Sequence, residues 1–129
     1  MKKFILAMIA VFGFSGAAAA QDALEGIWQT QVDDGAYALV TIAPCGEAFC
    51  GVISRTFNAE GEYESPNKGR QIVIDMVAMG DGHYEGQVWR PSNDKIYIGK
   101  MDIEGNQVRL RGCIAGGLLC SSQTWVKIQ

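Results

Sequence analysis

Beyond its first twenty residues the chain alternates apolar and polar positions with a period of two. Tyr84, Gly86 and Val88 fall on one side of their segment, Glu85 and Gln87 on the other. Val108, Leu110, Gly112 and Ile114 share a side, and Arg109 and Arg111 take the opposite one. Thr124, Val126 and Ile128 oppose Gln123, Trp125 and Lys127. A period of two marks a strand with a single buried face. No segment of this part carries a sustained apolar pattern at helical spacing. Eight strands are predicted, over 26–32, 37–43, 49–55, 71–79, 83–90, 95–103, 107–113 and 121–128. The fourth breaks the rule. Ile72-Val73-Ile74-Asp75-Met76-Val77 is apolar on both faces, which predicts a cover from a loop or from a partner.

Short polar turns separate these strands. Asp33-Asp34-Gly35, Gly80-Asp81-Gly82, Pro91-Ser92-Asn93-Asp94 and Glu104-Gly105-Asn106 all hold turn-forming residues. Links this short force neighbouring strands to run antiparallel. The fold class is therefore all-β, a single antiparallel meander of about eight strands. Such a meander removes its exposed edges by closing into an up-and-down barrel. A barrel of that strand number is filled by side chains or holds one small ligand. One link is long, residues 56–70, and carries Glu60, Glu62 and Glu64 in alternation. It reads as a solvated loop, with a rim or lid over a cavity as the alternative.

The first twenty residues have another character. Lys2 and Lys3 precede an apolar run from Phe4 to Phe14, and Ala18-Ala19-Ala20 forms a small-residue cleavage site. This is the pattern of a secretory signal peptide, and its apolar run is too short to span a bilayer. Residues 1–20 are thus expected to be removed, leaving one domain over 21–129. The expected location is the periplasm, with passage beyond the outer membrane as the alternative. Loss of Lys2 and Lys3 makes the formal charge of −3 more negative by two. An acidic chain lacks the basic patches that nucleic acid or anionic lipid would require.

Four cysteines lie in two short stretches, Cys45 to Cys50 and Cys113 to Cys120. Four cysteines allow three pairings. Pairing within each stretch is favoured, because each flanks a turn-like segment, and closing such small loops stabilises by roughly 2 kcal/mol each. The competing reading is a four-cysteine zinc site, whose usual ligand spacing is tighter. No metal and no cofactor are expected.

Two groups of residues resemble known families. Gly26-Ile27-Trp28 at the start of a small barrel resembles the lipocalin and avidin group. That resemblance implies that Trp28 closes the barrel base and packs on a basic side chain from a late strand, Arg111 or Lys127. A longer ordered set comprises Gly26-x-Trp28-x-Thr30, Gly51-x-Ile53, Gly86-x-Val88-Trp89-x-Pro91, Lys95-x-Tyr97-x-Gly99-Lys100-Met101, Asn106-x-Val108-x-Leu110-x-Gly112-Cys113 and Gln123-Thr124-Trp125. This set resembles the exported bacterial proteins grouped as DUF2147. The resemblance implies export and a single barrel-like domain, and supplies no reaction. Residues 67–74 match that family only loosely.

Candidate chemistry is sparse. His83 is the only histidine, borders a turn, and has no Gly-x-Ser-x-Gly elbow to serve. Asp75 lies inside an apolar strand and reads as outward-facing or as one half of an ion pair with Arg90, Arg109 or Arg111. Ala115-Gly116-Gly117 opens no helix, so it does not cradle phosphate. The chain is not expected to be an enzyme. Trp28 and Trp125 read as structural. Tyr84, Trp89, Tyr97, Arg109 and Arg111 are the candidate ligand contacts, since aromatic walls with a few polar groups suit a small apolar or amphipathic molecule. The alternative function is a cell-envelope interaction module or inhibitor, acting through the fourth strand or the long link. The intact mass of the exported protein is expected to correspond to a chain starting at Gln21. It should also be about 4 Da light, two hydrogens being lost per disulfide. A full-length mass, or one without that deficit, contradicts export or the disulfides respectively.

Overall fold

The computed structural model describes residues 22–129, so the predicted leader and its cleavage site lie outside the described residues. The strands are β1 (Gly26–Gln29), β2 (Tyr37–Cys45), β3 (Ala48–Asn58), β4 (Gly61–Tyr63), β5 (Gln71–Gly80), β6 (His83–Arg90), β7 (Lys95–Glu104), β8 (Gln107–Ile114) and β9 (Leu119–Lys127), with one 3₁₀ turn at Ala115–Gly117. Their order in the sheet is β2-β1-β9-β8-β7-β6-β5-β3-β4, and β2 also pairs with β3. All strands but β4 therefore form a closed antiparallel barrel, taken in chain order. Each of the eight predicted strands is present. The prediction for β6 agrees to the residue, whereas β1 stops at Gln29 instead of Val32.

The long link is more ordered than the sequence implied. Within it β4 pairs Gly61 with Asn58 and Tyr63 with Thr56. Glu62 takes two hydrogen bonds from the Arg55 guanidinium, at 2.9 and 2.6 Å. Lys68 pairs with Glu64 at 2.9 Å. The alternating glutamates are thus partly the outer face of a short strand.

β5 shows why its sequence looks apolar on both faces. Its pairing with β6 slips between Ile74 and Val77, and its pairing with β3 slips near Gly51. These bulges reset the pleat, so Ile72, Val73 and Met76 are all buried although they do not alternate. Ile72, Val73 and Met76 are therefore covered by the protein's own interior, whereas Val77 is exposed. Asp75 sits at the bulge with φ of 47° and is exposed. Opposite it, Gly86 permits the close approach. A Cβ there would lie 2.5 Å from the Asp75 carbonyl oxygen and 2.7 Å from that of Ile74.

The base of the barrel is filled. Leu24 and Trp28 are fully buried, and the Trp28 indole N–H donates to the Leu24 carbonyl at 2.9 Å. Lys127 holds its ammonium 5.7 Å from the centre of the Trp28 ring. It is thus Lys127, rather than Arg111, that packs on Trp28. Val40, Ile42, Met76, Met101 and Val108 continue the core above. Both disulfides follow the favoured pairing, Cys45–Cys50 across the β2–β3 turn and Cys113–Cys120 across the β8–β9 turn.

Gly86→Ala is expected to cost about 2 kcal/mol, because the new methyl meets backbone that only strand displacement can move. A urea midpoint indistinguishable from that of the parent would refute this account of the bulge.

Candidate functional site

Packing differs between the two ends of the barrel. Leu24, Trp28 and Tyr84 fill the end that holds the β2–β3, β5–β6 and β7–β8 turns. The opposite end holds a half-open cavity of about 510 Å³. Ala38, Ile53, Ile72, Val88 and Leu110 form its apolar wall, and Trp89, Tyr97 and Trp125 add aromatic surface. Small residues create the space. A Cβ on Gly112 would stand 3.5 Å from that of Tyr97, in ordinary contact, so the glycine leaves volume where a larger side chain would fit.

The rim is polar and mostly neutral. Thr30, Gln31, Thr56 and Ser65 line it together with Asn67 and Ser121, Ser122 and Gln123. Its charged members are Asp33, Asp34 and Arg90. Arg90 donates to both carboxylate oxygens of Asp33, at 3.1 and 3.0 Å. That hydrogen-bonded carboxylate raises the Arg90 pKa. The pair straps the β1–β2 loop to the end of β6 and neutralises both groups. The polar atoms of the aromatic side chains have partners as well. The Trp89 indole donates to Asp94 at 2.8 Å, the Trp125 indole to Gln123 at 2.6 Å, and the Asn93 amide to the Tyr97 hydroxyl at 2.7 Å. The Arg70 guanidinium lies 3.9 Å from the centre of the Trp89 ring, a cation–π contact that fixes the indole. The arrangement suits a molecule with an apolar body and uncharged polar groups.

The structure divides the predicted ligand contacts. Trp89 and Tyr97 line the cavity, and Val88 and Tyr97 are register partners on β6 and β7. Tyr84 does not reach it. That ring is buried at the base, where its hydroxyl donates to the Asp22 carboxylate, and burial followed by that carboxylate raises its pKa. Arg109 and Arg111 flank the buried Leu110 on β8 and so point out of the barrel. Arg111 donates to Asp102 at 3.0 Å. The arginines expected in the cavity are thus on its outside, because a period of two puts the neighbours of an inward Leu110 outward. Trp28 and Trp125 are both buried, and Trp125 also forms part of the cavity wall. Sequence reasoning missed Gly112, Ala38 and the serine, threonine and amide rim. Small and neutral residues carry no chemical signature; only their place at the ends of inward-facing runs could have pointed to them.

His83 is less exposed than a hairpin position suggests. On the outer face its Nδ1 lies 2.6 Å from Asp102 and its Nε2 2.7 Å from Glu85. Hydrogen bonding to Glu85, then to Asp102, raises its pKa above the ordinary 6.5. This cluster stands outside the barrel wall and near the base, away from the cavity.

Residues 26–127 match the family described as "Uncharacterized protein conserved in bacteria (DUF2147)". No curated protein matches the chain. A solved structure described as "Protein HP1028 from the human pathogen Helicobacter pylori belongs to the lipocalin family" is similar, with a TM-score of 0.64 and 18% identity, over 84% of this chain and 85% of that one. At that identity the likeness is one of fold.

A histidine whose folded pKa is raised stabilises fully below its unfolded value and less as pH climbs through the folded one. His83 is therefore expected to contribute about 0.5–1 kcal/mol at pH 5.5, after allowing for solvent screening. That contribution fades as pH rises above about 6.5. In His83→Gln the difference between urea midpoints at pH 5.5 and 8.5 should shrink. An unchanged difference would show that the cluster does not couple protonation to folding.

Proposed function

The chain belongs to the DUF2147 family of bacterial proteins, and we propose that this member is an exported binding protein holding a small, uncharged amphipathic molecule in its mouth cavity. The observation that carries the reading is the contrast between a base filled by Trp28, Leu24 and Tyr84 and an open end of about 510 Å³. That volume lies within the range of small-molecule sites. A core requirement alone gives no reason to fill one end and leave the other open. Trp89, Tyr97, Leu110 and Trp125 would contact the apolar body, and Gln123, Thr30 and Ser121 the polar groups. The Asp33–Arg90 pair would leave no free cation among the lining residues, which disfavours a carboxylated ligand, whereas Asp34 is an anion at the rim with no ion-pair partner among the described residues.

Export to the periplasm is part of the same reading. Two disulfides and a leader-like start both suit an oxidising compartment. The placement of the histidine and the rim arginine supports a reading of binding without turnover. The one histidine is tied to two carboxylates outside the barrel wall, and the rim arginine is tied to Asp33.

The neutral dye N-phenyl-1-naphthylamine is a suitable probe, since its fluorescence rises in apolar sites. Gly112→Leu should fill the cavity and weaken dye binding about tenfold or more, equivalent to about 1.4 kcal/mol, with the unfolding midpoint retained. Arg109→Ala should leave binding unchanged. Equal affinity in the parent and Gly112→Leu would remove the cavity as the site.

A further inference from the structure

The barrel closes least completely between β1 and β9. Only Trp28 with Lys127 and Gln29 with Val126 pair across that seam, extended toward the base by hydrogen bonds between Ile27 and both Ile128 and Gln129. By contrast β9 pairs with β8 from Leu119 to Val126. The far side of β9 therefore lacks a neighbouring strand above Val126.

The direction of each backbone group along β9 can be read from two bonds. The Lys127 N–H donates to Asn106, toward β8, and the Ile128 N–H donates to Ile27, toward β1. Backbone groups alternate sides along a strand, so Thr124, Ser122 and Cys120 face the seam. Thr124 shows this directly. Its N–H donates to the side-chain oxygen of Gln31 at 2.9 Å, where continued register would have placed a β1 carbonyl. β1 turns away there because Thr30 is bonded to Ala38 through both its backbone and its hydroxyl. Among the described residues no strand lies on the seam side of Ser122 and Cys120.

We propose that this edge accepts an extended segment of another protein as an added strand, lying between Ser122 and the loop over 30–34. Backbone donors and acceptors recurring about every 6.8 Å along a line match a polypeptide backbone and no compact molecule. The edge also lacks the usual guards. Residues 119–124 hold no charge and no proline, the devices that normally keep free edges from pairing. The cavity is bordered by both banks of the seam, Gln31 to Asp34 on one and Ser121 to Gln123 on the other, so alternate side chains of the added strand have space to enter. A second copy fits poorly, because it would bring its own 30–34 loop against the one that Arg90 pins through Asp33. Asp34 takes part in no ion pair among the described residues, so the segment is one with apolar side chains at alternate positions and a basic residue beside them.

The probe is a linear ten-residue peptide selected from a displayed random library on the folded protein. Added to ¹⁵N-labelled protein, it should slow amide exchange at Cys120 and Ser122 and leave Ser121 and Gln123, already in the β8 ladder, unchanged. Ser122→Pro removes a seam-facing N–H without breaking that ladder and should weaken binding about tenfold or more. Methylating peptide nitrogens one at a time should weaken binding at alternate positions only, a readout that leaves the protein untouched. Failure to select any binder, equal affinity for Ser122→Pro with no alternation in the methyl scan, or protection confined to other strands would overturn the proposal. A concentration-dependent dimer abolished by Ser122→Pro would also overturn it, by assigning the edge to a second copy.

Discussion

Closure of the ring is the constraint on which the rest depends. A meander of antiparallel strands leaves two edges, and only the meeting of its first and last strands removes them. Here that meeting takes place at the base, where Trp28 is opposite Lys127. The Trp28 side chain occupies the centre of the base and the Lys127 ammonium lies over its ring. The few pairs around Trp28 and Lys127 thus join the first and last strands, and the Trp28 side chain plugs the barrel at that end. Without the plug, the inward faces of β2, β5, β7 and β8 would have no common core to pack on at that end.

The same geometry makes the two ends unlike. Near Trp28 the inward positions hold large side chains such as Met76, Met101 and Ile42. Toward the mouth they hold Ala38 and Gly112. A strand's inward residues occur every second position, so the change from Ile42 to Ala38 on β2 and from Leu110 to Gly112 on β8 leaves volume at the mouth. Side-chain size on these two strands and the parting of β1 from β9 together open the cavity. Its rim is held by side-chain contacts, chiefly Arg90 with Asp33 and Arg70 with Trp89.

Much of the fold was legible because turns and alternation report on the backbone directly. The β6 boundaries, the antiparallel order and the pairing of Cys113 with Cys120 all follow from local pattern. The β5 bulges were not legible, since a bulge moves residues between faces without changing composition, and Ile72, Val73 and Met76 then read as apolar on both sides. The site was less legible than the fold. Tyr84 and Tyr97 are both inward-facing tyrosines, yet one fills the base and the other lines the mouth. Only height along the barrel separates them, and height depends on strand register. Arg109 and Arg111 were assigned by charge, although alternation with Leu110 already placed them on the other face.

The seam above Val126 follows from a local competition at Thr30. Its backbone N–H and hydroxyl both bond to Ala38, so β1 stays with β2 and leaves β9. Gln31 then supplies a side-chain oxygen to Thr124 in place of a strand carbonyl. A side-chain amide on rotatable bonds makes the same hydrogen bond as a backbone carbonyl, but it is not fixed by neighbouring ladder bonds and can leave without opening them. The barrel is thus closed by backbone at the base and by one movable side chain farther up. The seam above Val126 lies apart from the Trp28 plug, so the core at the base does not depend on the Gln31 bond.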